Sequence, residues 1–194
     1  MVEDRYDLRP SILDIRHRMS IKSFPELGST NIKAKELAAK GAKPWTVVLA
    51  GSQTNGYGKD KRGWFSPKGG LYFSIILPET NIGDLQTLTI LAAFVVAKTI
   101  MEEFGQQTFI KLPNDVWMNN KKVAGILTEN IIAGKKIKYS VMGIGLDTNI
   151  EKFPKELEDI ATSLKIELKK EVSDKELLEK MIKGIKKQLS VISQ

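Results

Sequence analysis

Phe109-Ile110-Lys111-Leu112-Pro113-Asn114-Asp115-Val116-Trp117-Met118-Asn119-Asn120-Lys121-Lys122-Val123-Ala124-Gly125-Ile126-Leu127-Thr128-Glu129 carries apolar runs from Val116 to Met118 and from Val123 to Glu129 on either side of Asn119-Asn120. Asparagine tolerates the left-handed backbone that a two-residue turn requires, so the stretch predicts a β-hairpin. Just upstream, Pro113 disfavours helix and fixes the chain between two strands. Lys111, Asn114 and Asp115 are then presented from stiff backbone, which suits chemistry better than a loose loop. Outward from this hairpin, Trp45 to Ala50 and Leu71 to Leu77 read as strands before it, and Ile137 to Leu146 as a strand after it. Ser29-Thr30 stands where an N-cap belongs, ahead of Ile32, Ala34, Leu37 and Ala38 at helical spacing. Asp84 stands likewise ahead of a long apolar helix that Gly105 ends, and Asp174 opens an amphipathic helix through Leu177, Leu178, Met181, Ile182, Ile185 and Leu189. Elements in this order predict an α+β fold, a meandering mixed sheet with helices packed on one side.

Composition narrows the chemistry. The chain has 194 residues, 42% hydrophobic and 27% charged, which predicts one globular domain over residues 1–194. Cysteine is absent and His17 is the single histidine, so disulfides, thiolate or histidine metal centres and a Ser-His triad are excluded. Catalysis must rest on lysine, arginine, carboxylates and backbone amides. The net charge of +7 does not choose between nucleic acid, an acidic partner and an anionic substrate. Much of it lies between Lys165 and Lys187, where lysines alternate with glutamates as on a solvated helix face. Met1 to Asp14 lacks the apolar run of a secretory signal, and Leu88 to Met101 is too short for a bilayer, so a cytoplasmic protein with no membrane association is expected.

Two segments carry the candidate chemistry. Gln53-Thr54-Asn55-Gly56-Tyr57-Gly58-Lys59-Asp60-Lys61-Arg62-Gly63-Trp64 mixes glycines, which let backbone fold close around a ligand, with cations, as an anion cradle does. Its spacing fits neither a Walker loop nor a dinucleotide fingerprint, and by itself it also reads as a surface loop. In the second segment Lys122 alternates with Val123, and Ala124-Gly125 would let a ligand approach the strand closely. In isolation Asn114-Asp115 reads as a turn and Lys121-Lys122 as a solvated hairpin tip.

Taken together, Ser29-Thr30-Asn31; Gln53 with Gly56, Gly58, Arg62 and Trp64; Ser66-Pro67 with Gly69-Gly70-Leu71-Tyr72-Phe73-Ser74; Lys111-Leu112-Pro113-Asn114-Asp115; Lys122-Val123-Ala124-Gly125; and Gly143-Ile144-Gly145-Leu146 resemble biotin protein ligases in order and spacing. The resemblance implies the catalytic fold of the biotin and lipoate ligases, similar to class II synthetases. It implies an ATP-dependent enzyme that forms biotinyl-5'-AMP and passes biotin to a lysine of a biotin carboxyl carrier protein, with Mg²⁺ as cofactor. On that resemblance Ser29, Thr30, Asn31 and Gln53 would hold the biotin head, while Gly56, Tyr57, Gly58, Lys59 and Gly125 would enclose it. Lys122 would hold the biotin carboxylate and act catalytically with Lys111 and Arg62. Arg62, Trp64, Lys111, Asn114 and Asp115 would serve the nucleotide, Asp115 also the metal.

The chain departs from the family pattern at Leu112, where a tryptophan is usual, at Tyr57 and Lys59, where arginines are common, and at Asp147, which replaces an asparagine. The expected unit is a bare catalytic domain without an N-terminal winged helix or a C-terminal β-barrel, hence without sequence-specific DNA binding; a homodimer is consistent with the family. Two other readings stay open. A lipoate or octanoate ligase or transferase shares the fold but needs an apolar tunnel where Gln53 and Ser29-Thr30 offer polarity. A non-catalytic paralogue would bind biotin or nucleotide without turnover.

Overall fold

A computed structural model of the chain describes residues 20–78, 85–133 and 136–192. Its elements are β1 (Ser20–Phe24), α1 (Thr30–Ala39), β2 (Thr46–Ala50), β3 (Leu71–Leu77), α2 (Leu85–Phe104), β4 (Phe109–Lys111), β5 (Asp115–Met118), β6 (Lys121–Ala133), β7 (Lys136–Leu146), α3 (Leu164–Leu168) and α4 (Asp174–Ile192). The strands form one mixed sheet in the order β1-β2-β3-β7-β6-β5-β4, with β1 and β2 parallel and the remaining neighbours antiparallel. The expected hairpin joins β5 to β6, and Asn119 (φ 48°) and Asn120 (φ 64°) take the left-handed conformations that a two-residue turn of this hand needs.

Alternation along the strands sorts the residues into two faces. Val47 and Leu49 of β2, Phe73 and Ile75 of β3, Ile126 of β6 and Met142 and Ile144 of β7 join one large core with α2 and α4. Val48, Ile76 and Val141 point to the opposite face, where Ala34 of α1 packs on them. The expectation that the helices gather on one side therefore holds for α2 and α4 but not for α1. That helix is too polar to enter the main core and needs only a narrow apolar strip. The distinction matters because Ser74, Gly125, Gly143 and Gly145 also lie on the α1 face.

α2 fills the span read for it up to Gly105, beyond the apolar stretch Leu88 to Met101 at both ends. Its length and composition would suffice to cross a membrane, yet 56% of its most apolar window is buried. Leu88, Ala92, Val96 and Ile100 are almost fully enclosed by the sheet and α4, which makes it a core helix. Gly105 (φ 64°) ends it as read from the sequence, its N–H donating to the Met101 carbonyl at 3.0 Å. The six apolar positions read for α4 are all at most 3% exposed. The cap expected from Asp84, like His17, lies outside the described residues. At α1 the position of the N-cap is right but the capping group is not: Ser29 makes no side-chain cap bond. The Thr30 N–H donates instead to Gln53 Oε1 at 2.8 Å, so the orphan donor of the helix is met from a distant loop.

Candidate active site

Three glycines shape a floor on the α1 face of the sheet. Gly125 and Gly145 sit opposite each other across β6 and β7. The indole of Trp64 lies over both: a Cβ on Gly145 would meet Trp64 Nε1 at 2.5 Å, and one on Gly125 would meet its ring at 3.1 Å. A Cβ on Gly143 would collide with Asn31 Oδ1. Side chains here would fill the space that α1 and Trp64 share with an open cavity of about 180 Å³.

One wall of that cavity is a chain of polar groups. Ser74 Oγ lies 2.8 Å from Thr30 Oγ1, which in turn donates to Gln53 Oε1 at 3.2 Å, and Gln53 Nε2 donates to Ser66 Oγ at 2.9 Å. Ser74 also lies 2.6 Å from Asn31 Oδ1. In strand Leu71–Leu77, Ser74 is fully buried amid apolar neighbours; burial at such a place is stable only with partners. The segment between Gln53 and Trp64 is a small hairpin of its own. Tyr57 bridges Gly63, the Gly58 N–H donates to the Arg62 carbonyl at 2.8 Å, and Lys59–Lys61 forms a single 3-10 turn at the tip. Gly56 is obligatory at its base, because a Cβ there would sit 2.5 Å from Ser66 Oγ and 2.8 Å from the Trp64 carbonyl.

Cations gather at the other end. Lys122 Nζ lies 2.7 Å from Asp115 Oδ1 and 4.8 Å from the centre of the Trp64 ring. Its backbone is held twice, its N–H donating to the Ile160 carbonyl and its carbonyl accepting from Thr162, both at 2.9 Å. A register shift between Val116 and Trp117 in β5 falls opposite it, and such bulges re-aim side chains. Next to this pair Asp147 is 2% exposed and its Oδ1 has no hydrogen-bond partner. Burial pushes its carboxyl well above the ordinary range, opposed only in part by the charge of Lys122.

A further cluster at the rim escaped the sequence reading. Glu129 of β6 accepts from Asn31 Nδ2 at 2.8 Å, Lys35 Nζ at 2.9 Å and the Tyr57 hydroxyl at 2.9 Å. Lys35 also donates to the Tyr57 oxygen at 3.2 Å. Burial alone would raise the Glu129 carboxyl, but these hydrogen bonds and the Lys35 charge outweigh it and hold it below its ordinary value. Lys35 is held above its own for the reciprocal reason, its bonds overcoming the lowering effect of burial. The available signal was a lone charge within the apolar run Val123 to Ile132.

Comparison with known proteins places this architecture. Residues 24–147 match the model of the Biotin/lipoate A/B protein ligase family. The chain belongs to that family. The bifunctional ligase/repressor BirA of Bacillus subtilis is 44% identical over 142 residues, which are 71% of this chain and 44% of BirA. The biotin–[acetyl-CoA-carboxylase] ligase of Paracoccus denitrificans is 34% identical over 61% of this chain and 50% of its own length. The chain thus spans about half the length of these relatives. A biotin protein ligase from Aquifex aeolicus, solved in complex with biotin and ATP, superposes with a TM-score of 0.81 at 31% identity, covering 90% of this chain and 72% of that one.

Within this biotin/lipoate ligase fold the cavity gathers most of the residues singled out from the sequence. Ser29, Thr30, Asn31, Gln53, Tyr57, Gly58, Lys59, Arg62, Trp64, Asn114, Asp115, Lys122 and Gly125 all line it. Gly56 supports the loop from behind. Asn31 lines the cavity with its amide already committed to Ser74, Glu129 and the Leu127 carbonyl, so it braces the wall. Lys111 does not line the cavity: it is exposed on the edge strand β4, its Nζ 4.6 Å above the ring of Trp117. Pro113 separates Lys111 from Asn114 and Asp115, and the sequence offered no sign that the turn would send the lysine outward.

Proposed function

We propose that the protein activates biotin with ATP as biotinyl-5'-AMP and transfers the biotinyl group to a lysine of a biotin carboxyl carrier protein. The observation that carries this reading is the meeting, in one cavity, of the Thr30-Gln53 polar wall with the Lys122-Asp115 pair and Arg62. A ureido ring needs donors and acceptors at one end, and a carboxylate needs a cation at the other. In the first half-reaction a biotin carboxylate oxygen attacks the α-phosphorus of ATP, the bond to the β-phosphate breaks, and pyrophosphate leaves. Two anions must approach, so the barrier depends on positive groups that neutralise and align them. Lys122 is placed to hold the carboxylate, Arg62 to face phosphate, and Trp64 to wall the nucleotide. Lys111 takes no part in this reading.

The donor set suits Mg²⁺, which favours oxygen ligands and keeps water and phosphate in its shell. Asp115, its Oδ1 otherwise bound only by Lys122, with Asn114 beside it, would hold the ion. When bound it would neutralise phosphate charge. In the second half-reaction the acceptor amine attacks the acyl carbonyl, loses a proton, and expels AMP, with Lys122 and loop amides stabilising the oxyanion. The glycine hairpin over the cavity keeps water from the mixed anhydride. A lipoyl or octanoyl chain is the rival substrate, and the polar wall disfavours it. Incubation with ATP, Mg²⁺ and either biotin or lipoate, following pyrophosphate release and then label on a carrier domain, tests the reading. Biotin-dependent release and labelling are expected; release with lipoate alone, or no release at all, would refute it.

A further inference from the structure

Glu129 does not itself line the cavity, yet it accepts hydrogen bonds from residues of two separate elements that do. Asn31 and Lys35 reach it from one face of α1, four residues apart, and Tyr57 reaches it from the glycine hairpin. Tyr57 stands between Gly56 and Gly58, so its side chain is a handle on the hairpin at the cavity rim. The hairpin tip beyond it, residues 59–63, is exposed. Among the described contacts, the Tyr57 hydroxyl is the one side-chain group of residues 54–63 that hydrogen-bonds outside the hairpin. Hydrogen bonds to an ionised carboxylate are the stronger kind and are sheltered here by partial burial.

We propose that Glu129 is a positioning residue: with Lys35 and Tyr57 it forms a latch that holds the glycine hairpin over the cavity, and so sets how long the acyl adenylate is retained rather than how fast it forms. The retention part rests on the function proposed above; the latch itself does not.

Lys59, Lys61 and Arg62 are exposed trypsin sites on the tip of the hairpin, so nicking of the ligand-free protein reports how often the hairpin opens. Glu129→Gln and Tyr57→Phe are expected to speed that nicking by about tenfold, since each weakens or removes the hydrogen bond that ties the hairpin to the rest of the fold. After mixing with biotin and ATP, Glu129→Gln is expected to release adenylate about tenfold faster while pyrophosphate release changes less than about threefold. Equal nicking in the wild type, Glu129→Gln and Tyr57→Phe would overturn the latch. Faster nicking with unchanged adenylate release would overturn its part in retention. If Glu129→Gln does not fold, Tyr57→Phe decides, because it leaves the Asn31 and Lys35 contacts of Glu129 in place. Absence of biotin-dependent pyrophosphate release from the wild type would sink the proposed function alone, leaving the nicking comparison to judge the latch.

Discussion

Lys122 and Asp147 show how two charges a short distance apart meet different fates. The Lys122 ammonium has a carboxylate at 2.7 Å and an aromatic face beside it, and the pairing is exchangeable: a substrate carboxylate can replace Asp115 without a new charge being buried. Lys122→Ala is expected to lower biotin-dependent pyrophosphate release by at least about a hundredfold, the scale seen when one preorganised transition-state donor is lost; near-full activity would remove Lys122 from the chemistry. Asp147 has no such partner for Oδ1 and folds most easily with its proton on. Its folded-state affinity for the proton exceeds that of the unfolded chain, so above the ordinary carboxyl range the unfolded state binds fewer protons, and stability falls as pH rises until the folded group ionises too. Asp147→Asn removes that slope. The variant is expected to match the wild type near pH 4 and to melt higher at pH 7, by roughly 2–4 °C per kcal/mol recovered. Parallel melting curves from pH 4 to pH 7 would show that Asp147 is not desolvated as described. Glu129 behaves oppositely: its depressed carboxyl adds stability above its ordinary range, which is lost as pH falls through the folded value.

The cavity exists because two neighbouring strands keep three glycines on one face. β6 contributes Gly125 and β7 contributes Gly143 and Gly145, each at the strand parity that faces α1. Alternation made the parity readable, since the apolar partners Ala124, Ile126, Met142 and Ile144 fall on the other face. The use of the space was not readable, because nothing local says that Trp64, some sixty residues earlier in the chain than Gly125, will lie in it. Gly145→Ala puts a methyl 2.5 Å from Trp64 Nε1. Overpacking of this kind costs about 1–3 kcal/mol, and the indole is the part free to give way. The variant is expected to fold, to shift the emission of Trp64 relative to the parent, and to bind biotin at least about tenfold more weakly by calorimetry. Unchanged emission and affinity would mean that the floor is not where the ligand rests.

At the scale of the whole chain, a single sheet carries the core on one face and the cavity on the other. Ligand binding is therefore coupled to the stability of the same unit. Biotin at a hundred times its dissociation constant is expected to add about 2.7 kcal/mol, visible as a rise of several degrees in the melting temperature, with lipoate giving none. Identical melting with and without biotin would count against the cavity as its site. Much of this organisation was set by local chemistry. The Asn119-Asn120 turn, the strand Leu71–Leu77, the Gly105 stop and the six buried positions of α4 each follow from short-range sterics or from one periodicity, so they were legible in the residues themselves. Thr30, Gln53, Asp115 and Lys122 were brought together in advance only by the resemblance to biotin protein ligases, and the fold sets all four around one cavity. Only the folded chain decided that α1 crosses to the opposite face, that Gln53 caps it, that Glu129 ties it to Tyr57, and that Lys111 stacks on Trp117 outside the cavity. These depend on pairings between residues far apart in sequence, where the free energy of a contact comes from desolvation and geometry created by the rest of the fold, and neither periodicity nor propensity encodes that.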